Sequence, residues 1–222
     1  MAGATGVLGN EVMRRLVGSQ RHAHSLILAK EAFKPAIVGV QACYVATKTI
    51  ANWPVQPADT GVILFDPPRL YYGRERGLWT PEPAQLPALA AWMHACGVRT
   101  LAVVLPHVQG RLPEALKRGL ASLDEQSVAA LGFERLLIVR SAQKPSAQAP
   151  AGRLAGLAHW LLSTLAYMVP SSEQPVRASK VAELVDVALR LMPPGIHVAA
   201  PELVWRASQA PVLPTVREWL KV

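Results

Sequence analysis

Three glycines near the amino terminus have the spacing of a turn that could bind a phosphate. Gly3, Gly6 and Gly9 are three residues apart, and an amphipathic pattern that predicts a helix over Val7–Val17 overlaps the last of them. Glycine permits a tight turn and lets a ligand approach the backbone closely. A helix that begins on such a turn directs free N–H groups and the positive end of its dipole at one point, which favours an anion. The predicted phosphate-binding residues are Gly3, Thr5, Gly6, Val7, Leu8 and Gly9.

The elements around this turn alternate between buried strands and amphipathic helices. Apolar runs predict strands over Ser25–Ala29, Gly61–Phe65, Thr100–Leu105, Phe133–Val139 and Ile196–Ala199. A further strand lies within Pro35–Tyr44, although Val45–Ile50 competes for that role. Periodicity predicts helices over Leu86–Cys96, Leu112–Leu131 and Val181–Leu191, and a short helix closes the tail. This alternation predicts a single α/β domain over residues 1–222, with a doubly wound, mainly parallel, Rossmann-like sheet and a small C-terminal helix and strand extension.

The first strand of such a sheet is truncated here. Only Met1 and Ala2 precede the glycine turn, whereas a buried strand is typically about five residues long. Two explanations remain open: the natural start lies upstream, which we favour as an expectation, or the sheet tolerates a short central strand. The intact mass of the natively expressed protein distinguishes them.

Two further regions lie where the ends of parallel strands would form a ligand crevice. Lys30 follows the strand Ser25–Ala29, at the position that faces the adenosine ribose in a dinucleotide fold. A cation there favours the ribose phosphate of NADP over the free hydroxyl of NAD, although an ordinary surface lysine is the alternative. The segment Arg69–Pro83 also follows a strand end, and it is either a ligand-binding loop or an ordered surface loop. Its candidate ligand-binding side chains are Tyr71, Tyr72, Arg74 and Arg76.

The composition and the absence of other sequence motifs argue against nucleic-acid-binding, metal-binding, secreted and membrane-spanning proteins. Hydrophobic residues make up 51% of the 222 residues, and the net charge of +8 is spread without long basic runs. We find no nucleic-acid-binding motif, metal-ligand spacing, secretory leader or transmembrane segment. Cys43 and Cys96 are expected to be buried free thiols of a cytoplasmic protein. The apolar stretch Leu154–Met168 predicts a core helix or the face of a homodimer or protein partner.

Three segments together resemble one protein family. The glycine turn resembles the nucleotide turn of atypical short-chain dehydrogenase/reductases, and Leu131–Leu136, before a strand ending in Arg140, resembles a later part of the same proteins. Pro175–Ala182 resembles their substrate-side segment. The likeness is greatest to small NmrA-like and Tat-interacting oxidoreductase-like members. It implies an NAD(P)-binding Rossmann fold that takes NADP, or alternatively NAD, with residues 141–222 on the substrate or partner side.

The resemblance also implies where catalytic groups would lie, and the sequence departs from the family there. The family's enzymes use a Tyr-x-x-x-Lys pair, in which the lysine lowers the pKa of the proton-transferring tyrosine, together with a serine or threonine. The tyrosine and lysine positions fall near Lys117 and Ala121, and the serine position falls near Leu105. Because Leu112–Leu131 contains no tyrosine, proton transfer by the usual route is not expected.

Three interpretations follow from this departure. The favoured one is a non-catalytic Rossmann-fold protein that binds NAD(P). The alternative is an NADP-dependent oxidoreductase or epimerase-like enzyme whose catalytic group is displaced to His107, Tyr71 or Tyr72. The third is a relative whose cofactor site no longer binds.

Overall fold

The computed structural model describes residues 1–31, 37–45, 49–69, 72–107, 119–142 and 176–222. Its strands are β1 Ser25–Ala29, β2 Val40–Tyr44, β3 Thr60–Leu64, β4 Thr100–His107, β5 Arg135–Ala142 and β6 Gly195–Ala199. Its α-helices are α1 Gly6–Gly18, α2 Gly73–Arg76, α3 Leu86–Ala95, α4 Leu123–Ala130, α5 Ala178–Leu191, α6 Pro201–Gln209 and α7 Val212–Leu220. Short 3₁₀ turns cover Ile50–Asn52 and Pro83–Gln85.

The strands form a parallel sheet whose centre is the short stretch before the glycine turn. β1 pairs with β2, and β3, β4, β5 and β6 pair in that order, all in parallel.

Residues 1 and 2 join these two pieces of the sheet. The Leu28 N–H donates to the Met1 carbonyl at 3.0 Å, the Ala2 N–H donates to Val62 at 2.8 Å, and the Leu64 N–H donates to Ala2 at 3.0 Å. The spatial order is therefore β2, β1, residues 1–2, β3, β4, β5, β6, which has the reversal at the first strand that defines a Rossmann-like sheet. The predicted fold class and its truncated first strand are confirmed.

Alternation along the central strands divides the core between the two faces of the sheet. Val62, Ala102 and Leu137 point towards α1, α5, α6 and α7. Their neighbours Ile63, Val103 and Leu136 point towards α3 and the apolar residues of α4. Because side chains in a strand alternate with a period of two, an almost wholly apolar strand supplies both layers at once.

The helix predicted over Leu112–Leu131 is confirmed over Leu123–Ala130 and wrong over residues 119–122. Residues 119–122 are not helical, and α4 begins only at Leu123. The physical reason is the side chain of Ser122, which accepts a hydrogen bond from the Glu125 N–H at 3.1 Å and thereby caps a new helix. The competing third-strand assignments are also resolved, since β2 lies within Pro35–Tyr44.

Among the described residues, none of the helices combines the length and apolar character needed to cross a lipid bilayer. The apolar stretch Leu154–Met168 lies outside the described residues, as does residue 175 at the start of the substrate-side motif. The residues of that motif from Ala178 onward form the first turns of α5, which packs against α1.

Candidate functional site

The glycine turn has the backbone geometry that the spacing predicts. Gly3 and Gly6 have φ angles of 75° and 67°, a conformation that side chains other than glycine disfavour. A Cβ atom at Gly3 would lie 2.0 Å from the Leu64 carbonyl oxygen, and one at Gly9 would lie 2.3 Å from the Gly3 carbonyl oxygen. The first and third glycines therefore let the turn pack directly against β3 and let α1 pack directly against the turn.

The turn lies at the point where the order of the strands reverses. Residues 1–2 run between β1 on one side and β3 on the other, and α1 begins immediately beyond them. In open parallel sheets this is the crevice that takes a dinucleotide, with its pyrophosphate at the amino terminus of the first helix.

Two carboxylates of the chain itself occupy the amino terminus of α1. The Leu8 N–H donates to Asp66 Oδ2 at 2.8 Å. The Gly6 N–H donates to Glu75 Oε2 at 2.9 Å. Two of the amides that would face a phosphate are therefore already paired with carboxylate oxygens.

A network of side chains holds the first carboxylate in place. Thr5, which is fully buried, donates its hydroxyl to the Asp66 carbonyl at 2.6 Å and shares a 2.9 Å hydrogen bond with the Thr80 hydroxyl. Burial raises the pKa of Asp66, the hydrogen bond from Leu8 opposes this, and the nearby charge of Glu75 adds to the rise. Glycine is favoured at position 6 by its φ of 67°, and a Cβ there would lie 2.1 Å from Asp66 Oδ2 and 2.8 Å from the Pro67 carbonyl oxygen.

The second carboxylate is held more tightly. Glu75 Oε1 accepts from Asn10 Nδ2 at 2.8 Å and from Arg69 Nε at 2.7 Å, and Arg69 Nη2 also pairs with it. The Arg69 backbone N–H donates to Glu75 Oε2 at 2.9 Å. Burial acts to raise the pKa of Glu75, but the hydrogen bonds from the Arg69 side chain and from the Arg69 and Gly6 backbone outweigh it, and the net pKa is lowered. Glu75 is therefore ionised at neutral pH.

The same stretch of chain continues along the end of β1. The Lys30 N–H donates to Gly77 at 2.7 Å, the Trp79 N–H donates to Leu28 at 3.0 Å, and the Gly3 N–H donates to Trp79 at 3.2 Å. An antiparallel bridge joins Ala29 and Leu78. We call residues 66–69 and 72–80 the crevice segment, because they lie across both the glycine turn and the end of β1.

The other predicted site residues whose side chains the structure describes are exposed. The Lys30 side chain is exposed at the end of β1. The Tyr72 side chain is 53% exposed, and the Arg69 guanidinium lies 3.6 Å from the centre of its ring. Tyr71 and the side chain of Arg74 lie outside the described part of the chain, and Arg76 is exposed at the end of α2.

The positions expected for the family's catalytic groups carry no such group where they are described. Leu105 lies within β4, and Ala121 lies before α4, where its N–H donates to Glu125 Oε2 at 2.7 Å. Lys117 lies outside the described residues. The backbone of His107 ends β4 opposite Ala142, but its side chain is outside what the structure describes.

Sequence reasoning missed the residues that contact the turn most closely. It predicted tyrosine and arginine ligands within Arg69–Pro83 and gave no role to an acid, whereas the side chains that meet the turn are Asp66 and Glu75. The available signal was an acid directly after a buried strand that lies next to a glycine turn. Nothing local marks Glu75, because its partners Gly6 and Asn10 are more than sixty residues away.

A dinucleotide does not fit the turn in this arrangement. A pyrophosphate bound by the amides of residues 6–9 would take the positions that the oxygens of Asp66 and Glu75 hold. The residues form a geometrically suitable turn, and two carboxylates fill it.

Other openings lie away from the turn. A volume of about 440 Å³ at the opposite edge of the sheet is lined by charged side chains, including Arg21, Asp59, Arg99 and Glu134. A neighbouring, more apolar groove of about 490 Å³ includes Met1. Within the described residues, no group of three or more His, Cys, Asp or Glu side chains could hold a metal ion.

Comparison with known proteins gives a fold likeness only. No protein-family model matches the chain, and no curated protein matches it. Among solved structures, the Bordetella bronchiseptica enzyme WbmG in complex with NAD is similar, with 12% identity and a TM-score of 0.43 over 94% of this chain and 77% of that chain. The strand order and hydrogen bonding of this protein, rather than that likeness, identify its Rossmann-like fold.

Proposed function

We propose that this protein is a Rossmann-like binding module for a nicotinamide dinucleotide, without the proton relay of the short-chain dehydrogenase/reductases. The observation that carries the proposal is the glycine turn at the reversal point of the sheet, with positive φ at Gly3 and Gly6 and the amides of α1 directed at one point. A turn of this geometry at this place in a parallel sheet suits a pyrophosphate. Binding requires that Asp66 and Glu75 first turn away.

The vacant catalytic positions support binding without redox turnover. Leu105 and Ala121 cannot exchange a proton, and the sequence has no tyrosine between Tyr72 and Tyr167. A bound dinucleotide would therefore meet none of the usual groups that donate a proton to a substrate oxygen. The chain's own residues would bind and orient the ligand, and the described part assigns none of them a proton-transfer step.

A fluorescence titration with NADPH and NADH tests the proposal. We expect saturable binding that Gly6→Trp abolishes, because the φ of 67° at position 6 disfavours any side chain and a Cβ there would lie 2.8 Å from the Pro67 carbonyl oxygen. The matched control is Gly18→Trp, since a Cβ at Gly18, on the last turn of the same helix, meets nothing within 4 Å. Circular dichroism verifies that both variants fold. Failure of both the wild type and Asp66→Asn/Glu75→Gln to bind either dinucleotide at millimolar concentration contradicts the proposal.

The preference for NADP rests on Lys30, which is exposed at the end of β1. A charged hydrogen bond between its ammonium group and the ribose phosphate favours NADPH, so Lys30→Asp should lower the ratio of NADPH to NADH affinity at least about tenfold. The same titration measures this ratio. An equally exposed acid on the neighbouring residue provides the control, Glu31→Gln, which should raise that ratio or leave it unchanged. An unchanged ratio in Lys30→Asp contradicts the assignment of NADP.

A further inference from the structure

We propose that the crevice segment is a built-in competitor for the glycine turn, in which Asp66 and Glu75 stand in for phosphate oxygens. A ligand with a phosphate or pyrophosphate group then binds only when these carboxylates leave the amino terminus of α1. The proposal rests on the proposed function for the identity of the natural ligand, but the competition itself concerns any such anion.

The hydrogen bonds show how the carboxylates take the place of a ligand. The Gly6 N–H donates to Glu75 Oε2 at 2.9 Å, and the Leu8 N–H donates to Asp66 Oδ2 at 2.8 Å. These are the orphan donors that a helix presents at its first turn, and an anion satisfies them best. Asp66 directly follows the strand end and Glu75 lies in α2, so the crevice segment supplies both oxygens that accept from these amides.

Charge makes the competition stronger than shape alone would. The site holds two carboxylates, and Arg69 forms a salt bridge with Glu75, so the closed arrangement repels an incoming polyanion. The Glu75 side chain is also buried, with 4% of the residue exposed, which reduces screening by solvent. Neutral side chains of the same shape would keep the packing and remove most of this repulsion.

The two ends of the crevice segment differ in how firmly they are attached. Leu78 is buried, and Trp79 packs edge-on against Trp53 with ring centres 4.9 Å apart. Tyr72 is exposed, and α2 is a single turn of four residues. Opening therefore involves residues 66–69 and 72–76, while residues 77–79 stay paired with the end of β1.

Titration with inorganic pyrophosphate tests the competition directly. The variant is Asp66→Asn/Glu75→Gln, whose amide side chains retain the shape and can still accept hydrogen bonds from the helix. We expect it to bind pyrophosphate at least about tenfold more tightly than the wild type, measured by calorimetry and by the shift in melting temperature, because two charges that oppose the anion are gone. The control Glu134→Gln/Glu218→Gln removes the same number of charges from exposed positions away from the turn.

Each outcome decides between the two proposals. Tighter pyrophosphate binding in the turn variant but not in the control supports the competition, and parallel NADPH or NADH binding supports the proposed function as well. Tighter pyrophosphate binding without dinucleotide binding supports the competition and contradicts the proposed function. Equal affinity for pyrophosphate in wild type and turn variant, or an equal gain in the control, overturns the competition. Wild-type dinucleotide binding then leaves the proposed function standing.

Discussion

The helices α1 and α4 both begin at the edge where the parallel strands end, and both have a carboxylate at their first turn. In α4 the carboxylate is local: Glu125 lies within the first turn, and Ser122 is the cap. In α1 the carboxylates are distant in sequence, since Asp66 and Glu75 lie 58 and 69 positions from the amides they accept. The Thr5 side chain, at the cap position of α1, makes no cap hydrogen bond.

This difference separates a carboxylate that is a fixed part of the structure from carboxylates that a ligand can replace. Glu125 belongs to the helix whose first turn it occupies, and it is also held by Arg140, whose Nη2 lies 2.6 Å from Glu125 Oε2. Both side chains are at most 6% exposed, so neither can leave without an unpaired buried charge. Asp66 and Glu75 reach α1 only through the packing of the crevice segment. The Glu75 side chain is as buried as that of Glu125, at 5% exposed, but its partner Arg69 is 31% exposed, so water can solvate the charge that the departure of Glu75 leaves on Arg69. A ligand can therefore compete at α1 but not at α4.

The largest expected effect follows from breaking the buried ion pair between Arg140 and Glu125. Arg140→Met should lower the free energy of unfolding by about 3–5 kcal/mol, because it leaves the Glu125 carboxylate buried without its partner. Urea denaturation measures this loss. The control is Arg135→Met at the other end of β5, where Arg135 and Glu134 are both at least 35% exposed, and its loss should stay within about 1 kcal/mol.

The double variant Arg140→Met/Glu125→Gln sharpens this test. Because Gln removes the buried charge, it should recover part of the stability that Arg140→Met loses. A loss below about 1 kcal/mol in Arg140→Met would mean that the pair does not hold Glu125 at the start of α4. It would contradict the view that the carboxylate of α4 is fixed whereas those at α1 are replaceable.

Periodicity and glycine spacing predicted most of the fold, because they report burial and backbone conformation that neighbouring residues determine. The turn at Gly3 and Gly6 and the buried strands β1, β3, β4 and β5 follow from such local signals. The start of α4 was also readable, since Ser122 followed by Glu125 is a capping-box pattern. It was missed because the apolar spacing of Leu112–Leu131 favoured one long helix.

Local sequence signals did not predict that two carboxylates fill the glycine turn. The contact of Glu75 with Gly6 depends on where the crevice segment packs, and no periodicity or spacing encodes a pairing across 69 positions. The sequence therefore predicted a turn suited to an anion but not the two carboxylates that occupy it. The Rossmann-like scaffold is specified locally, whereas the state of its site is specified by tertiary packing.

The smallest expected effect concerns the local cap of α4. Ser122→Ala should lower the free energy of unfolding by about 1 kcal/mol, because the Glu125 N–H loses its acceptor at 3.1 Å. Pyrophosphate should not restore this stability, since Glu125 and Arg140 still fill the first turn of α4. In Asp66→Asn/Glu75→Gln, by contrast, pyrophosphate should raise the melting temperature. Ser127→Ala is the control, because its hydroxyl donates to Leu123 on the exposed face of the same helix. Recovery of Ser122→Ala by pyrophosphate would show that any weakened helix start in this protein takes up the anion, and the distinction between the two helices would be lost.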